Sequence, residues 1–457
     1  MQIFAQRKSA WAYLTLAVIV ALSRIPFLDA GYGVNLDAWR VARVARQIAV
    51  TGVYEVSRFP GYPFQEIVCS WFWRGGALAL NGMSAFFSVA AAIAFMACAR
   101  QLKCRDAFLA GLAFAMTPIV FVNSVTSKDY VWAMAFILGS LLSVLSSQSL
   151  LAGALLGLAV GCRITSGAML LPLGLILIGQ VEHDQRWRSV VQFTLAMLLA
   201  SALVFLPAWG RYGPGFFTFY ENHARPPLEV TMSRATLEVW GGVGLAGYAV
   251  LLAGLFLRTV KRTEASLPAC ANRFVVLALA LMICIYLAAY LWLPDQAGYL
   301  IPLIAPTMLL GARFAPRIAF QSLCACLLIA PFIGVSTGGV QAGAVFADRT
   351  ERIQTMQNIR NFLRFAEALP QKSVVVVGGW EPQIAVMTSD GPRLRNRYAY
   401  LLSGPEAATL VANGVPLFYL PLIREFNARV MNIDLAQYGG HDLHELFQSK
   451  RREHSIP

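Results

Sequence analysis

A few acids and a set of bases stand out against an otherwise apolar chain. Asp37 is followed by Arg40, Arg43 and Arg46 in "VNLDAWRVARVAR" (34–46), Asp129 follows Lys128 in "TSKDY", and Asp295 lies in "LPDQAGY". A carboxylate in such a setting can take a proton as a general base, ligate a cation, or pair with a nearby arginine. Arg40, Arg43, Arg58, Arg74, Lys128, Arg163, Arg211 and Arg225 suit a lipid phosphate, because guanidinium and ammonium groups at headgroup depth donate charge-assisted hydrogen bonds to phosphoryl oxygens. Each has a plainer reading. Asp129 sits where a helix N-cap would, Arg163 can snorkel to the membrane surface, and an Asp37–Arg40 surface pair is worth under about 1 kcal/mol. His223 suits an ordinary loop residue, and Tyr62 and Tyr299 sit where interfacial tyrosines are common.

The elements that must position these groups follow from composition. The chain has 457 residues, 57% hydrophobic and 13% charged. Repeated apolar runs of about 18 to 20 residues match a hydrocarbon core. We read about eleven such runs between residues 11 and 335 and keep the first as a helix, not a signal peptide. A single helix through Arg163 would be too long for the membrane, so a break is expected at "GCRITSG" (161–167). The net charge of +13 falls mostly in short gaps between runs, where it reports orientation and calls for no nucleic-acid partner. Arg7, Lys8, Arg100, Lys103, Arg105, Arg186, Arg188, Arg258, Lys261, Arg262, Arg313 and Arg317 share one side, which makes that side cytoplasmic. The N-terminus is then cytoplasmic, and long connections at 29–77 and 208–239 lie outside, as does everything after 335. Arg40, Arg43, Arg46 and Arg58 stand against that charge rule. Asp37, Arg40, Arg43 and Gln47 share one helical face and Ala38, Val41, Ala45 and Ile48 another, as in a helix lying in the membrane interface.

After residue 336 the pattern changes. "SVVVVGGW" (373–380) and "VPLFYLP" (415–421) read as strands, with a helix over 405–413. We expect a transmembrane module over 1–335 and a small α/β extracytoplasmic domain over 336–457. The glycines of "VVVVGGWEP" make neither a GxGxxG nor a P-loop, which argues against a nucleotide site. The eight cysteines lack metal-ligand spacing; Cys324 and Cys326 suit packing.

Several segments in order resemble the GT-C superfamily of integral-membrane glycosyltransferases, particularly the protein O-mannosyltransferase and aminoarabinose transferase branch. They are "NLDAWRVARVARQIAVTGVYEVSRFPGYP" (35–63), "TPIVFVNSVTSKDYVWAMAF" (117–136), "GLAVGCRITSGAMLLPL" (157–173) and "GYLIPLIAPTMLLGA" (298–312). The resemblance implies a GT-C-like polytopic helical fold. It also implies transfer of a sugar from a polyprenyl-phosphate donor to an acceptor hydroxyl on a glycan, lipid or protein at the outer membrane face, with inversion. Asp37 would be the base, Asp129 a second catalytic acid, Arg58, Lys128, Arg163 and Arg225 the phosphate ligands, and Arg40, Tyr62, His223 and Tyr299 further substrate contacts. The setting implied is a bacterial inner membrane with a periplasmic C-terminal domain. Two departures stand out: the family's second loop acid is Ala38, so nothing indicates a divalent metal and no cofactor is assigned, and the family's arginine before Tyr299 is Gly298. The competing classes are a secondary transporter or lipid flippase, which would show paired halves, and a noncatalytic membrane scaffold.

Overall fold

The computed structural model describes residues 2–217, 225–260, 273–336, 339–366, 369–370, 372–388 and 397–443. The chain divides into two compact units: Met1–Gly33 with Val44–Glu351, and Val34–Arg43 with Arg352–Pro457.

The first unit is helical. In chain order its helices are α1 (Gln2–Arg24), α2 (Leu36–Thr51, whose first turns belong to the second unit), α3 (Pro63–Phe72), α4 (Gly76–Gln101), α5 (Ala107–Met116), α6 (Pro118–Ser124), α7 (Tyr130–Leu145), α8 (Ser149–Cys162), α9 (Leu170–Gln180), α10 (Arg186–Tyr212), α11 (Leu228–Ser233), α12 (Val239–Val260), α13 (Arg273–Trp292), α14 (Ile301–Phe314), α15 (Arg317–Ile329) and the start of α16 (Ala344–Ala366). Six helical stretches among the described residues are long and apolar enough to cross a membrane. The α5–α6 pair, bent by 65°, makes up to seven, and four shorter apolar helices accompany them. This is an integral membrane protein, and its surface shows it. Leu195, Leu198, Leu199, Leu203 and Leu206 of α10 are all more than half exposed, which water would penalise and lipid does not. The opposite face of α10 packs on glycines one turn apart in α8. A Cβ on Gly153 would lie 2.8 Å from that of Ala196, one on Gly157 2.5 Å from that of Ala200, and one on Gly161 would strike Val204. Small residues at this spacing let two helix backbones approach where no hydrophobic effect drives them together.

Three sequence expectations shift. Residues 63–77, read as part of an outer loop, belong to a helical stretch Pro63–Gln101, jointed at Trp73–Gly75. The apolar run 317–335 is helical only to Ile329; its end enters a hairpin of β1 (Ile333–Ser336) and β2 (Gly339–Ala342). The run 107–124 is two helices, because Pro118 has no N–H to continue the ladder. Buried Arg24 answers that break: Nη2 donates to Ala115 O at 2.5 Å, Nε to Ser124 Oγ at 2.9 Å, and its guanidinium lies 3.9 Å over Phe121.

The second unit holds a four-stranded parallel sheet of β3 (Val374–Val376), β4 (Arg397–Ala399), β5 (Leu417–Tyr419) and β6 (His441–Asp442), in the order β4-β3-β5-β6. Val374, Val376, Ala399, Leu402, Leu417, Tyr419 and Leu435 form one core cluster, and the two central strands β3 and β5 are buried at every position, as in a sheet covered on both faces. Helices α17 (Glu381–Met387), α18 (Gly404–Ala412) and α19 (Pro421–Met431) lie between and around the strands in sequence. A reciprocal pair starts α18: Ser403 N and Oγ both donate to Glu406 Oε2, at 2.9 and 2.8 Å.

Candidate functional site

The turn that carries Arg58 is built around a buried acid. Glu66, on the first turn of α3, has no exposed surface. Its Oε1 accepts from Ser57 N at 2.7 Å, and its Oε2 accepts from Tyr54 Oη at 2.5 Å and Tyr62 N at 3.1 Å. One carboxylate thus gathers three donors from the segment 54–62 and closes it into a fixed loop. Gly61, at φ +97, supplies the backbone conformation that a side chain would strain. Burial pushes the Tyr54 phenol well above its ordinary range, and the Glu66 charge pushes it the same way, so Tyr54 stays a neutral donor.

Arg58 leaves this turn towards Asp129. Its Nη2 donates to Asp129 Oδ1 at 3.0 Å, its Nε donates to Tyr62 Oη at 2.9 Å, and its guanidinium lies 4.2 Å from the Tyr62 ring centroid. Arg163 Nη1 donates to the other oxygen, Asp129 Oδ2. Asp129 itself is 1% exposed. The N-cap reading of Asp129 is therefore corrected: its side chain makes no cap bond, because both oxygens are taken by arginines. Snorkelling by Arg163 is corrected too, since its side chain is only 12% exposed and points to a carboxylate. The break expected at 161–167 makes this geometry. Helix α8 stops at Cys162, Arg163 is extended (φ −153, ψ 116), and a 3-10 turn Ile164–Met169 follows, so the guanidinium comes off an interrupted span.

Three tyrosines surround the arginines. The Arg163 guanidinium lies 4.2 Å from the Tyr130 ring centroid, 5.1 Å from that of Tyr299 and 5.8 Å from that of Tyr62. Tyr130 Oη donates to Gln296 Oε1 at 2.8 Å, and Lys128 Nζ stands 5.9 Å from the same ring. Gly298 now has a reason: a Cβ there would lie 2.8 Å from Tyr130 Cζ, so the residue is small to admit the ring. Two guanidinium groups against one carboxylate leave one positive charge in excess. Desolvated electropositive groups with fixed donors are what a phosphate ester or a leaving phosphate needs.

The structure thus brings Arg58, Tyr62, Lys128, Asp129, Arg163 and Tyr299 together. Sequence reasoning missed Tyr130, Gln296, Glu66 and Tyr54. Glu66 had one signal, an acid inside the otherwise apolar "PFQEIVCSWF". Arg225 stands apart in its contacts, with its guanidinium 5.9 Å from the Trp292 ring. His223 lies outside the described residues. In the second unit, Asp37 sits in the first turn of α2, 8% exposed, with Arg40 Nη1 at 3.5 Å from its Oδ1 and Asn35 Oδ1 accepting from its backbone N at 2.9 Å. Ala38, Val41 and Ala45 are buried, the apolar face expected of that helix. Among the described residues no three His, Cys, Asp or Glu side chains come together to hold a metal.

No family model matches the chain, and no curated protein matches it. Solved structures do. The crystal structure of ArnT from Cupriavidus metallidurans in the apo state is similar at a TM-score of 0.59 and 14% identity, over 90% of each chain. The apo oligosaccharyltransferase of Archaeoglobus fulgidus is similar at a TM-score of 0.50 and 13% identity, over 92% of this chain and 69% of that one. Both are GT-C superfamily members, so the resemblance read from the sequence holds for the fold.

Proposed function

We propose that this protein is a GT-C glycosyltransferase that moves a sugar from a polyprenyl-phosphate donor to an acceptor hydroxyl at the extracytoplasmic face of a bacterial inner membrane. The observation that carries the reading is the pair of guanidinium groups, Arg58 and Arg163, each held by one oxygen of buried Asp129. Asp129 orients and spaces the two cations, and their charge stabilises the carrier phosphate, with Lys128 adding to it. A carboxylate with both oxygens engaged is poorly placed to take a proton, so we assign Asp129 to positioning and not to base catalysis. Arg225, facing Trp292, is not assigned to the phosphate.

A cavity of about 360 Å³ is lined by Val160, Ile164, Phe205, Trp209, Phe216 and Phe217, and so includes the residue that follows Arg163 in the chain. It suits the prenyl chain of a lipid whose phosphate lies on Arg163, since apolar chain and charged head must separate within a residue or two. Asp37 is the base on the strength of the first-loop motif. In the reaction its carboxylate takes the proton of the acceptor hydroxyl, the hydroxyl oxygen forms the new bond to the anomeric carbon, and the bond from that carbon to the phosphate oxygen breaks. The bonding pair leaves with the phosphate, and the arginines stabilise that charge. Attack opposite the leaving group inverts the anomeric carbon. On this reading the N-terminus is cytoplasmic and the C-terminal segment periplasmic, a sidedness supported by the positive charge of the short loops.

The test is release of polyprenyl phosphate by purified full-length protein in nanodiscs, given a panel of polyprenyl-phosphate sugars and acceptors. Release is expected for at least one donor, slowed about 10² to 10⁴ fold by Asp37→Asn. No release from any donor, with the lipids instead crossing the bilayer intact in a vesicle assay, would return the protein to the flippase class.

A further inference from the structure

The glycines of "VVVVGGWEP" have no part in the proposed reaction, yet their place in the fold is a special one. The sheet order β4-β3-β5-β6, all parallel, means that the chain leaves β3 to one side for β4 and returns to the other side for β5. Open parallel sheets of this kind bind ligands at that switch point, just beyond the carboxyl ends of the two strands. Here the segment after β3 is Val377–Glu381. Gly378, at φ +53, turns the chain there, and a Cβ on it would strike Ile423, just after β5.

What lies against this segment is part of the chain itself. A Cβ on Gly379 would lie 2.9 Å from Leu36 Cδ1. Glu381 Oε2 accepts from Arg43 Nη1 at 2.8 Å, across 338 residues of sequence. Leu36 and Arg43 bracket Asp37 on the first two turns of α2, and both fall in the same compact unit as the sheet. Gly379 is not among the glycines at positive φ, so what a side chain there would meet is the terminal methyl of Leu36, which would have to give way. Arg43, placed against the charge rule for an extracytoplasmic segment, has its reason in Glu381.

We propose that the switch point of this sheet is a cradle for the helix that carries Asp37, with Gly379 and Glu381 as positioning residues that set the angle and depth of that helix. The site where related sheet topologies take a free ligand is used here on an intramolecular one. The catalytic consequence rests on Asp37 being the base; the cradle itself does not.

The experiment uses the full chain in nanodiscs and reads amide hydrogen exchange over residues 36–43, with no donor present. Gly379→Leu should speed that exchange about tenfold through overpacking, and adding Leu36→Ala should return it to within about threefold of wild type, because the space is shared. Arg43→Glu and Glu381→Arg should each speed it by about two- to fivefold, as expected for a partly exposed pair, and the double charge swap should restore it. Where turnover is measurable, the single variants should lower kcat and leave the donor KM unchanged. Exchange over 36–43 that ignores Gly379→Leu in protein that still melts cooperatively would overturn the cradle. Should Gly379→Leu not fold, failure of the charge swap to restore exchange would do the same. If exchange responds as stated and the wild-type protein releases no polyprenyl phosphate, the cradle stands and the transferase reading falls.

Discussion

Asp129 and Asp434 are the same side chain in opposite surroundings. Each is held by guanidinium groups on both oxygens: Asp129 by Arg58 and Arg163 inside the helical unit, Asp434 by Arg424 alone, through Nε at 2.7 Å and Nη2 at 2.6 Å, on the surface of the sheet-bearing unit. The Asp129 side chain is 1% exposed and that of Asp434 is 27% exposed. The bond lists look alike, and their worth does not. Water competes for every contact at Asp434, and ions screen it. Asp129 is almost wholly shielded from solvent, so removing one partner leaves the others charged, buried and unanswered. Asp37 falls between them, with one arginine at 3.5 Å. We assign base catalysis to Asp37 on the first-loop motif, and cation spacing to Asp129 because arginines hold both of its oxygens.

The comparison breaks most visibly at Asp129. Asp129→Ala should cost about 3–5 kcal/mol of stability, the range for uncovering a buried charge, and abolish turnover; thermal unfolding in nanodiscs with parallel activity measures both. Retention of wild-type stability would mean that water reaches the arginines and that the two carboxylates are not so different. Asp37→Asn should separate the effects, leaving the melting temperature close to wild type and slowing transfer about 10² to 10⁴ fold. Arg163→Lys tests whether the cluster needs shape as well as charge. A lysine keeps the positive charge but loses the planar fork that spans carboxylate and phosphate, so we expect about a tenfold rise in donor KM, read from initial rates. In the sheet-bearing unit, Ser403→Ala removes the side-chain half of the reciprocal pair that starts α18 and should destabilise by about 1 kcal/mol, with no change in transfer.

How much of this was legible in the sequence depends on the kind of signal. The break at Arg163 could be read, because membrane thickness limits helix length, and so could the amphipathic helix around Asp37 and the strands near 375 and 418, because their periodicities are local. The bend at Pro118 and the hairpin beginning at Ile333 were hidden. Hydropathy adds residues along the chain and does not distinguish an apolar strand, or two crossing helices, from one span. At the site, the charged members announced themselves by being rare. Tyr130 and Glu66 did not: Tyr130 passes for an interfacial aromatic, and Glu66 matters only because Tyr54 and the amides of Ser57 and Tyr62 converge on it in space. Gly298 shows the limit from the other side. In the sequence it is only a departure from the family's arginine, and the Tyr130 ring, 2.8 Å from where its Cβ would lie, becomes visible only in space.

The smallest effect, and the sharpest use of the comparison, lies in acid. Arg424 holds the Asp434 carboxyl down to about 2 from its ordinary 3.8, helped by the Ala436 amide. A carboxylate whose folded value is depressed contributes stability above the unfolded value, and that contribution disappears as the pH falls through the folded one. The melting-temperature difference between wild type and Asp434→Asn should therefore be small and constant from neutral pH down to about 4, then close towards zero as the pH approaches 2. High salt should shrink it at every pH, because the pair is open to solvent. A difference that survives molar salt would mean that Asp434 is shielded as Asp129 is, and the contrast between the two carboxylates would then rest on the number of arginines that hold them and not on their exposure to water.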